Sequence, residues 1–197
     1  MKKGNWFQTY TGIKFYPFDF AEDDIDINDI AHALSNICRY NGHSKRFYSV
    51  AEHSLYVSDY CFDHFSTTSA LYGLLHDASE AYICDLVRPL KYEHEFIFYR
   101  DLEAKLQKAI YAKFGLDDSF TELTHRVKFA DDIMLITEAQ ILMYDVSEWD
   151  QGGLIKPIVG FQFNEDYITN AEAEFKRKFY ALISLHKQVL GFTEKIL

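Results

Sequence analysis

An ionisable pair, His76-Asp77, follows an apolar stretch in which Leu71, Leu74 and Leu75 fall at helical spacing. Burying such a pair without a partner is costly, and a divalent metal ion is a partner that satisfies both side chains. Neutral imidazole and carboxylate together suit first-row ions such as Zn²⁺, Mn²⁺ or Co²⁺. A His-Asp dipeptide is common by chance, so the residues around it decide whether this is a metal site.

Further charged residues follow this pair closely enough to lie beside the same ion. Glu80 is four residues after His76, so it would share the helix face of His76 if the helix continued that far. Such a carboxylate would lie near the ion without being one of its ligands. Asp85 comes next, with the cations Arg88 and Lys91 behind it. The alternative is a solvated helix end with ordinary charges.

Two adjacent acids, Asp131 and Asp132, precede another apolar helical stretch. At about 100° per residue, Asp131 and Glu138 nearly superimpose on the helix, whereas Asp132 points well away from both. Helix phase therefore favours Asp131 as the inward-facing ligand. The alternative is that both acids flank a helix start, although the helical pattern is already under way at Val127.

The elements that must position these residues are predicted to be helices. Ser49 and Glu52 have the spacing of a capping box, which would place His53 in the first full turn of its helix. After an irregular start through residue 20, periodicity predicts further helices around 30–41, 68–80, 93–114, 122–143 and 170–190. Convincing period-2 strands are scarce, so the sequence predicts an all-α fold.

Composition limits the partners and the compartment. The 197 residues carry 20 Lys and Arg against 30 Asp and Glu, a formal net charge of −10. Wrapping duplex nucleic acid needs a surplus of clustered cations, so no such partner is expected. The length suits a single domain over 1–197. Three cysteines without close pairing, no evident secretory signal and no apolar run of membrane-spanning length predict a cytoplasmic protein.

Taken together, His53, His76-Asp77 and Asp131 resemble the H, HD and D ligand signature of the HD-domain phosphohydrolase superfamily. The resemblance extends to IAHALSNICRYNGH (30–43), FYSVAEHS (47–54), HDASEAY (76–82) and DLVRPLK (85–91). These segments are similar to a compact bacterial and phage branch that includes YfbR-type 5′-deoxynucleotidases and, closer in length, DatZ-type dATP triphosphohydrolases. The resemblance covers about residues 16–143 and implies a compact helical bundle around a divalent metal site, with a C-terminal helical extension.

The same resemblance implies roles for individual residues. The implied ligands of a divalent ion such as Zn²⁺, Co²⁺, Mn²⁺ or Mg²⁺ are His53, His76, Asp77 and Asp131. Glu80 and Asp85 match the two acids that flank the scissile phosphate in the nucleotidase branch, and which of them acts as acid or base is left open. The residues expected to bind substrate are Arg39, Tyr40, His43, Lys45, Arg46, Pro89 and Lys91. Tyr40 stands where YfbR-type enzymes have a tryptophan, which weakens the transfer of their monophosphate specificity.

The expected function is hydrolysis of a small-molecule deoxynucleotide. The first expectation is conversion of dATP to deoxyadenosine and triphosphate, which would shape the dNTP pool of a phage-infected cell. The alternatives are a 5′-deoxynucleotidase that acts on dNMPs and a catalytically inactive nucleotide-binding protein. No additional pair of histidines indicates the binuclear site of HD phosphodiesterases. Because members of the superfamily are generally oligomers, a homo-oligomer is expected.

Overall fold

The computed structural model describes residues 2–117, 121–149 and 155–193, and helices carry nearly all of its regular structure. The α-helices are α1 (Ile27–Asn36), α2 (Val50–His64), α3 (Thr67–Leu75), α4 (Glu80–Ile83), α5 (Arg88–Lys91), α6 (Ile97–Lys113), α7 (Thr121–Leu142) and α8 (Glu165–Thr193). Short 3-10 turns lie at Glu22–Asp24, Arg39–Gly42, His94–Phe96 and Ser147–Trp149. The predicted all-α fold is confirmed.

A small hairpin interrupts the N-terminal stretch that the sequence predicts to be irregular. β1 (Phe7–Gln8) pairs antiparallel with β2 (Lys14–Phe15), and Gly12 in the connecting turn has a φ of 90°. The buried carboxylate of Asp29 in α1 anchors the turn, because it accepts hydrogen bonds from the Thr11 amide at 2.7 Å and the Thr11 hydroxyl at 2.9 Å. Strands of two residues are too short to show a period-2 pattern, which is why the sequence does not reveal them.

The N-terminus of α2 forms where the sequence predicts it. The hydroxyl of Ser49 accepts a hydrogen bond from the Glu52 amide at 3.0 Å, and this cap places His53 in the first turn of the helix. The carboxylate of Glu52 does not return to the backbone of Ser49 and pairs with Arg46 instead. Only half of the predicted capping box is therefore present.

Helix α3 lies close against α2 because Gly73 has no side chain. A Cβ at this position would lie 3.1 Å from the Sγ of Cys61 and 3.3 Å from the carbonyl oxygen of Val57. Both distances are shorter than ordinary van der Waals contact, so a larger residue would push the helices apart. The close approach sets the position of the C-terminal end of α3, from which the His-Asp pair projects.

The helix before the His-Asp pair ends earlier than its periodicity predicts. Instead of one helix over 68–80, α3 ends at Leu75 and a separate short helix begins at Glu80. The side chain of Gln107 in α6 holds the turn between them. Its Nε2 donates to the carbonyl of Leu75 at 2.6 Å, and its Oε1 accepts from the amide of Ser79 at 3.1 Å. The prediction of one helix over 68–80 is therefore wrong, and His76 and Glu80 do not share the face of a continuous helix.

The core lies where α1, α2, α3 and α7 pack together, and α8 packs against α1, α2 and α3. Phe175, Phe179 and Leu182 bury one face of α8 in this core. The helix begins at Glu165 rather than near 170, and Asn170 interrupts its helical backbone with a φ of −138°. Among the helices in the described ranges, none is long and apolar enough to cross a membrane.

Candidate metal centre

Three separate elements bring the four predicted metal ligands to one place. His53 projects from α2, His76 and Asp77 lie in the turn after α3, and Asp131 projects from α7. One potential ligand atom from each of His53, His76 and Asp131 lies within 4.8 Å of the others. The Oδ2 of Asp77 is 3.1 Å from His76 Nε2 and 3.9 Å from His53 Nε2. The group of His53, His76 and Asp131 could therefore hold a metal ion, with Asp77 beside it.

The hydrogen bonds of both imidazoles fit a metal ligand. The Nδ1 of His76 donates to the carbonyl of Gly73 at 2.8 Å, so its Nε2 keeps a free lone pair. This Nε2 is buried and has no hydrogen-bond partner within the described part of the chain. The Nδ1 of His53 lies 2.8 and 3.0 Å from the two carboxylate oxygens of Glu138, which leaves its Nε2 facing Asp131. Two imidazole nitrogens and two carboxylates form a donor set that accepts several first-row ions.

His53 is fully buried, and the carboxylates around it favour the positively charged form of its ring. Burial and the nearby Arg39 both lower its pKa, but the carboxylates of Glu138 and Asp131 outweigh them and raise the pKa to about 9. Without a metal ion, His53 is therefore expected to carry a proton at neutral pH. A bound cation would take the place of that proton between His53 Nε2 and Asp131 Oδ1, which are 3.1 Å apart.

The two aspartates of the cluster remain ionised. Burial alone would raise the pKa of Asp77, but the His76 imidazole 3.1 Å away outweighs it and holds this pKa well below its usual range. At Asp131 burial is likewise outweighed, here by the hydrogen bond from His53 and the charges of His76 and Lys128, so its pKa is also lowered. Both carboxylates are thus available as anionic ligands.

Two further acids, Glu80 and Asp85, have the opposite behaviour. Glu80 is 3% exposed, and its Oε2 has no hydrogen-bond partner among the described residues. Burial raises the pKa of Glu80 well above its usual range, and the charges of Asp77 and Asp85 raise it further. Burial also raises the pKa of Asp85. The nearest cation to Glu80 is Lys91, whose Nζ lies 3.8 Å from Glu80 Oε1 and is also paired with Glu103.

Cations approach the cluster from two sides. Arg39 is 9% exposed, and its Nη1 donates to Asp77 Oδ2 at 3.4 Å. On the opposite side, Arg88 and Lys128 contact the outer oxygen of Asp131, Oδ2, at 3.2 and 2.9 Å. Asp132 contacts the same two outer cations and is not part of the group that could hold a metal ion, in agreement with the helix phase that favours Asp131 as the ligand. Phosphate groups are bound in proteins by such combinations of arginine, lysine and metal ions.

Comparison with known proteins places the chain in a family. No protein-family model matches it. The uncharacterized protein YfdR of Escherichia coli (strain K12) is 41% identical over 141 residues, which are 72% of this chain and 74% of YfdR. The chain belongs to the YfdR family. An uncharacterized protein of Rhodobacter capsulatus is also similar, with 32% identity over 160 residues that make up 76% of this chain and 79% of that protein.

A cleft opens beside the candidate metal-binding group of this YfdR-family chain. It has a volume of about 340 Å³ and lies between α7 and the segments around residues 146–149 and 155–157. Its walls are largely apolar and are formed by Arg88, Asp132, Leu135, Ile136, Gln140, Val146, Ser147, Trp149, Ile155, Lys156 and Pro157. Because Arg88 lines the cleft and also contacts Asp131, the cleft is one side chain away from the cluster.

Several residues expected to bind substrate have other partners within the protein. Arg46 forms a two-pronged ion pair with the buried carboxylate of Glu52, at 2.9 and 2.5 Å. The Nζ of Lys45 donates to the carbonyl of Ile141 at 2.9 Å, and His43 is exposed. Contacts of these three side chains with phosphate therefore stay a prediction, and for Arg46 such a contact would require exchange of its partner.

The two remaining residues of that set, Tyr40 and Pro89, do not line the cleft themselves but lie next to residues that do. Tyr40 has a φ of 52°, its hydroxyl donates to the carbonyl of Leu135 at 3.3 Å, and its ring lies 6.1 Å from that of Trp149. Pro89 is exposed in the first turn of α5, next to Arg88. A left-handed backbone at a tyrosine is costly, so the surrounding packing holds Tyr40 in this place.

Sequence reasoning missed two participants in the site. Lys128 lies three and four residues before Asp131 and Asp132, at the spacing of helical ion pairs, and this signal could have identified it. Glu138 was identifiable only as a residue on the face of Asp131. Its hydrogen bond to His53 spans 85 residues of the chain, and no pattern within one helix predicts it.

Proposed function

We propose that this protein is a metal-dependent phosphohydrolase of deoxynucleotides, and that it converts dATP and water to deoxyadenosine and triphosphate. The observation that carries the proposal is the convergence of two imidazoles and two ionised carboxylates beside buried acids and cations. His53, His76, Asp77 and Asp131 would hold the ion. Once bound, the ion supplies a Lewis acid for a phosphoryl oxygen and makes a water molecule more acidic.

The cations of the site fit a role in holding phosphate. Arg39 lies on the Asp77 side of the cluster, while Arg88 and Lys128 lie on the Asp131 side. Positioned on both sides, they would offset the negative charge that builds on the phosphoryl oxygens as water adds to the α-phosphorus. Their present carboxylate partners keep these side chains in place without a substrate.

Glu80 and Asp85 are suited to proton transfer. Burial raises the pKa of both carboxyls, which favours their protonated form and suits a group that donates a proton in the reaction. In the proposed reaction the bond between the α-phosphorus and O5′ breaks, and O5′ takes a proton to become the hydroxyl of deoxyadenosine. One of the two acids donates that proton, and the other orients the attacking water or accepts its proton.

The cleft supports a nucleoside as the second half of the substrate. Its volume of about 340 Å³ and its apolar walls suit a purine, which could stack on Trp149. Arg88, which lines the cleft and contacts Asp131, would lie between the base and the phosphates. Gln140 and Ser147 in the lining offer hydrogen-bonding groups.

A 5′-deoxynucleotidase is the second candidate. It is favoured by the pair Glu80 and Asp85, which matches the acids of the nucleotidase branch in the resemblance described above. The same arrangement acting on a dNMP would release orthophosphate instead of triphosphate.

Anion-exchange chromatography of products from dATP and dAMP tests both candidates. Triphosphate from dATP supports the first, and orthophosphate from dAMP supports the second. His76→Ala and Asp77→Ala should abolish metal content and turnover while circular dichroism keeps its helical signal. His125→Ala, an exposed histidine of α7, is the matched control and should behave like the natural protein. If metal-loaded protein hydrolyses no nucleotide but still binds dATP, the protein is a nucleotide-binding protein and not an enzyme.

A further inference from the structure

We propose that Glu138 is the positioning residue of the metal centre, whose carboxylate holds the His53 imidazole with Nε2 facing the ion. The inference rests on the metal site of the proposed function but is independent of which substrate is hydrolysed. Glu138 lies on α7, seven residues after Asp131, so a single helix would supply one ligand and the support of another.

The geometry around His53 Nδ1 carries the inference. The two carboxylate oxygens of Glu138 lie 2.8 and 3.0 Å from this nitrogen, and both side chains have no exposed surface. When Nδ1 donates its proton to a carboxylate, the lone pair of the neutral ring is confined to Nε2. Nε2 is the atom that lies 3.1 Å from Asp131 Oδ1 and 3.9 Å from Asp77 Oδ2. A carboxylate behind a histidine ligand also increases its basicity.

The two imidazoles of the cluster are supported in different ways. His76 donates to the carbonyl of Gly73, which is a neutral acceptor provided by the backbone of its own helix end. His53 donates to a fully buried charge supplied by another helix. A buried carboxylate is expensive unless it is paired, and His53 and Arg39 are the partners that lie beside Glu138. A metal ion on the far side of the His53 ring would add a positive charge to the same group.

Glu138 also connects His53 to Arg39, the cation on the Asp77 side of the cluster. Its Oε2 lies 3.9 Å from the Nε of Arg39, whose Nη1 in turn donates to Asp77. The carboxylate of Glu138 thus contacts Nδ1 of His53 and lies beside Arg39, the arginine proposed to bind the phosphate. Replacing it should weaken metal binding first, because the contact with His53 is the shorter of the two.

Calorimetric titration of metal-free protein with Mn²⁺, Zn²⁺ and Co²⁺ tests this role. Glu138→Leu should weaken binding by about 10- to 100-fold, the usual effect of removing such a supporting group. Glu138→Gln should lie between Glu138→Leu and the natural protein, because the amide oxygen still accepts from Nδ1 although the charge is lost. The visible absorption spectrum of bound Co²⁺ should shift in Glu138→Leu, since it reports ligand geometry. Glu122→Gln, on the exposed face of the same helix, removes an equal charge and should leave metal affinity unchanged.

The outcomes separate the inference from the proposed function. If both Glu138 variants bind metal with unchanged affinity and an unchanged Co²⁺ spectrum, while unfolding at lower temperature, Glu138 is only structural and the inference is overturned. If the natural protein binds none of the three ions, the proposed function and the inference fall together. Should Glu138→Leu not fold, the graded loss of affinity in Glu138→Gln relative to Glu122→Gln decides the matter.

Discussion

Replacing each of two adjacent acids with asparagine, Asp131→Asn and Asp132→Asn, isolates the contact with the metal centre. Both side chains accept from the same two cations, Arg88 at 3.2 and 3.0 Å and Lys128 at 2.9 and 2.5 Å. Each variant removes one charge from this shared arrangement. Only Asp131 also reaches His53, through its other oxygen at 3.1 Å. The difference between the variants therefore measures the role of that oxygen.

The exposure of Arg88 and Lys128, the cations that both acids contact, determines how large the effect of Asp132→Asn on metal affinity should be. The side chains of Arg88 and Lys128 are 39% and 50% exposed, and ion pairs with such partners contribute about 0–1 kcal/mol each. Asp132→Asn removes two such pairs, which together contribute at most about 2 kcal/mol, or about 30-fold, and only part of this should appear in metal affinity because neither pair contacts the ion. Asp131→Asn removes a group that would contact the ion itself. Removal of a group that supports a metal ligand weakens metal binding by up to roughly 100-fold, or about 3 kcal/mol, and Asp131→Asn should weaken it by at least this much.

Metal-free samples of both variants would be titrated with Mn²⁺ by calorimetry, and metal content after dialysis would be measured by elemental analysis. Thermal unfolding without metal serves as the control for folding. Equal losses of affinity in the two variants would refute the reasoning, because the effect would then arise from the shared cations. A larger loss in Asp132→Asn would show that the wrong acid has been assigned to the ion.

Three further predictions concern stability. Cys84 is exposed, and its backbone has φ 70° and ψ 158°, a region that suits glycine. Cys84→Gly should therefore raise the free energy of unfolding, measured in urea, by about 1 kcal/mol. A lower free energy of unfolding would show that this backbone is not strained. Gln107→Met removes the hydrogen bonds to Leu75 and Ser79, so it should lower the free energy of unfolding by about 1–3 kcal/mol in the same assay. It should also weaken metal binding. Unchanged values of both would show that Gln107 does not support the turn. The pKa of His53 is raised from 6.5 when unfolded to about 9 when folded, so its stabilising effect is complete below pH 6.5 and is lost towards pH 9. The free energy of unfolding of metal-free protein should then fall by about 3 kcal/mol over this range, and a flat or rising profile would contradict the assignment.

Local signals in the sequence predicted most of the helices, although not all of their ends, and the side chains that could hold a metal ion. Capping by Ser49 and the helical phase of Asp131 depend only on residues within a few turns, and the structure has both. The same reasoning failed at the end of α3, where nothing after Leu75 in the sequence stops a helix. The hairpin at residues 7–15 escaped because its strands are only two residues long.

By itself, the sequence determined that this is an all-α protein in which two histidines and nearby aspartates are candidates for binding a metal ion. Only the tertiary structure decided how those side chains are held. Gln107 holds the end of a helix 32 residues away, and Glu138 supports a histidine 85 residues away. Hydrogen bonds between distant helices form only when the core packs those helices together, so no spacing within one helix encodes them.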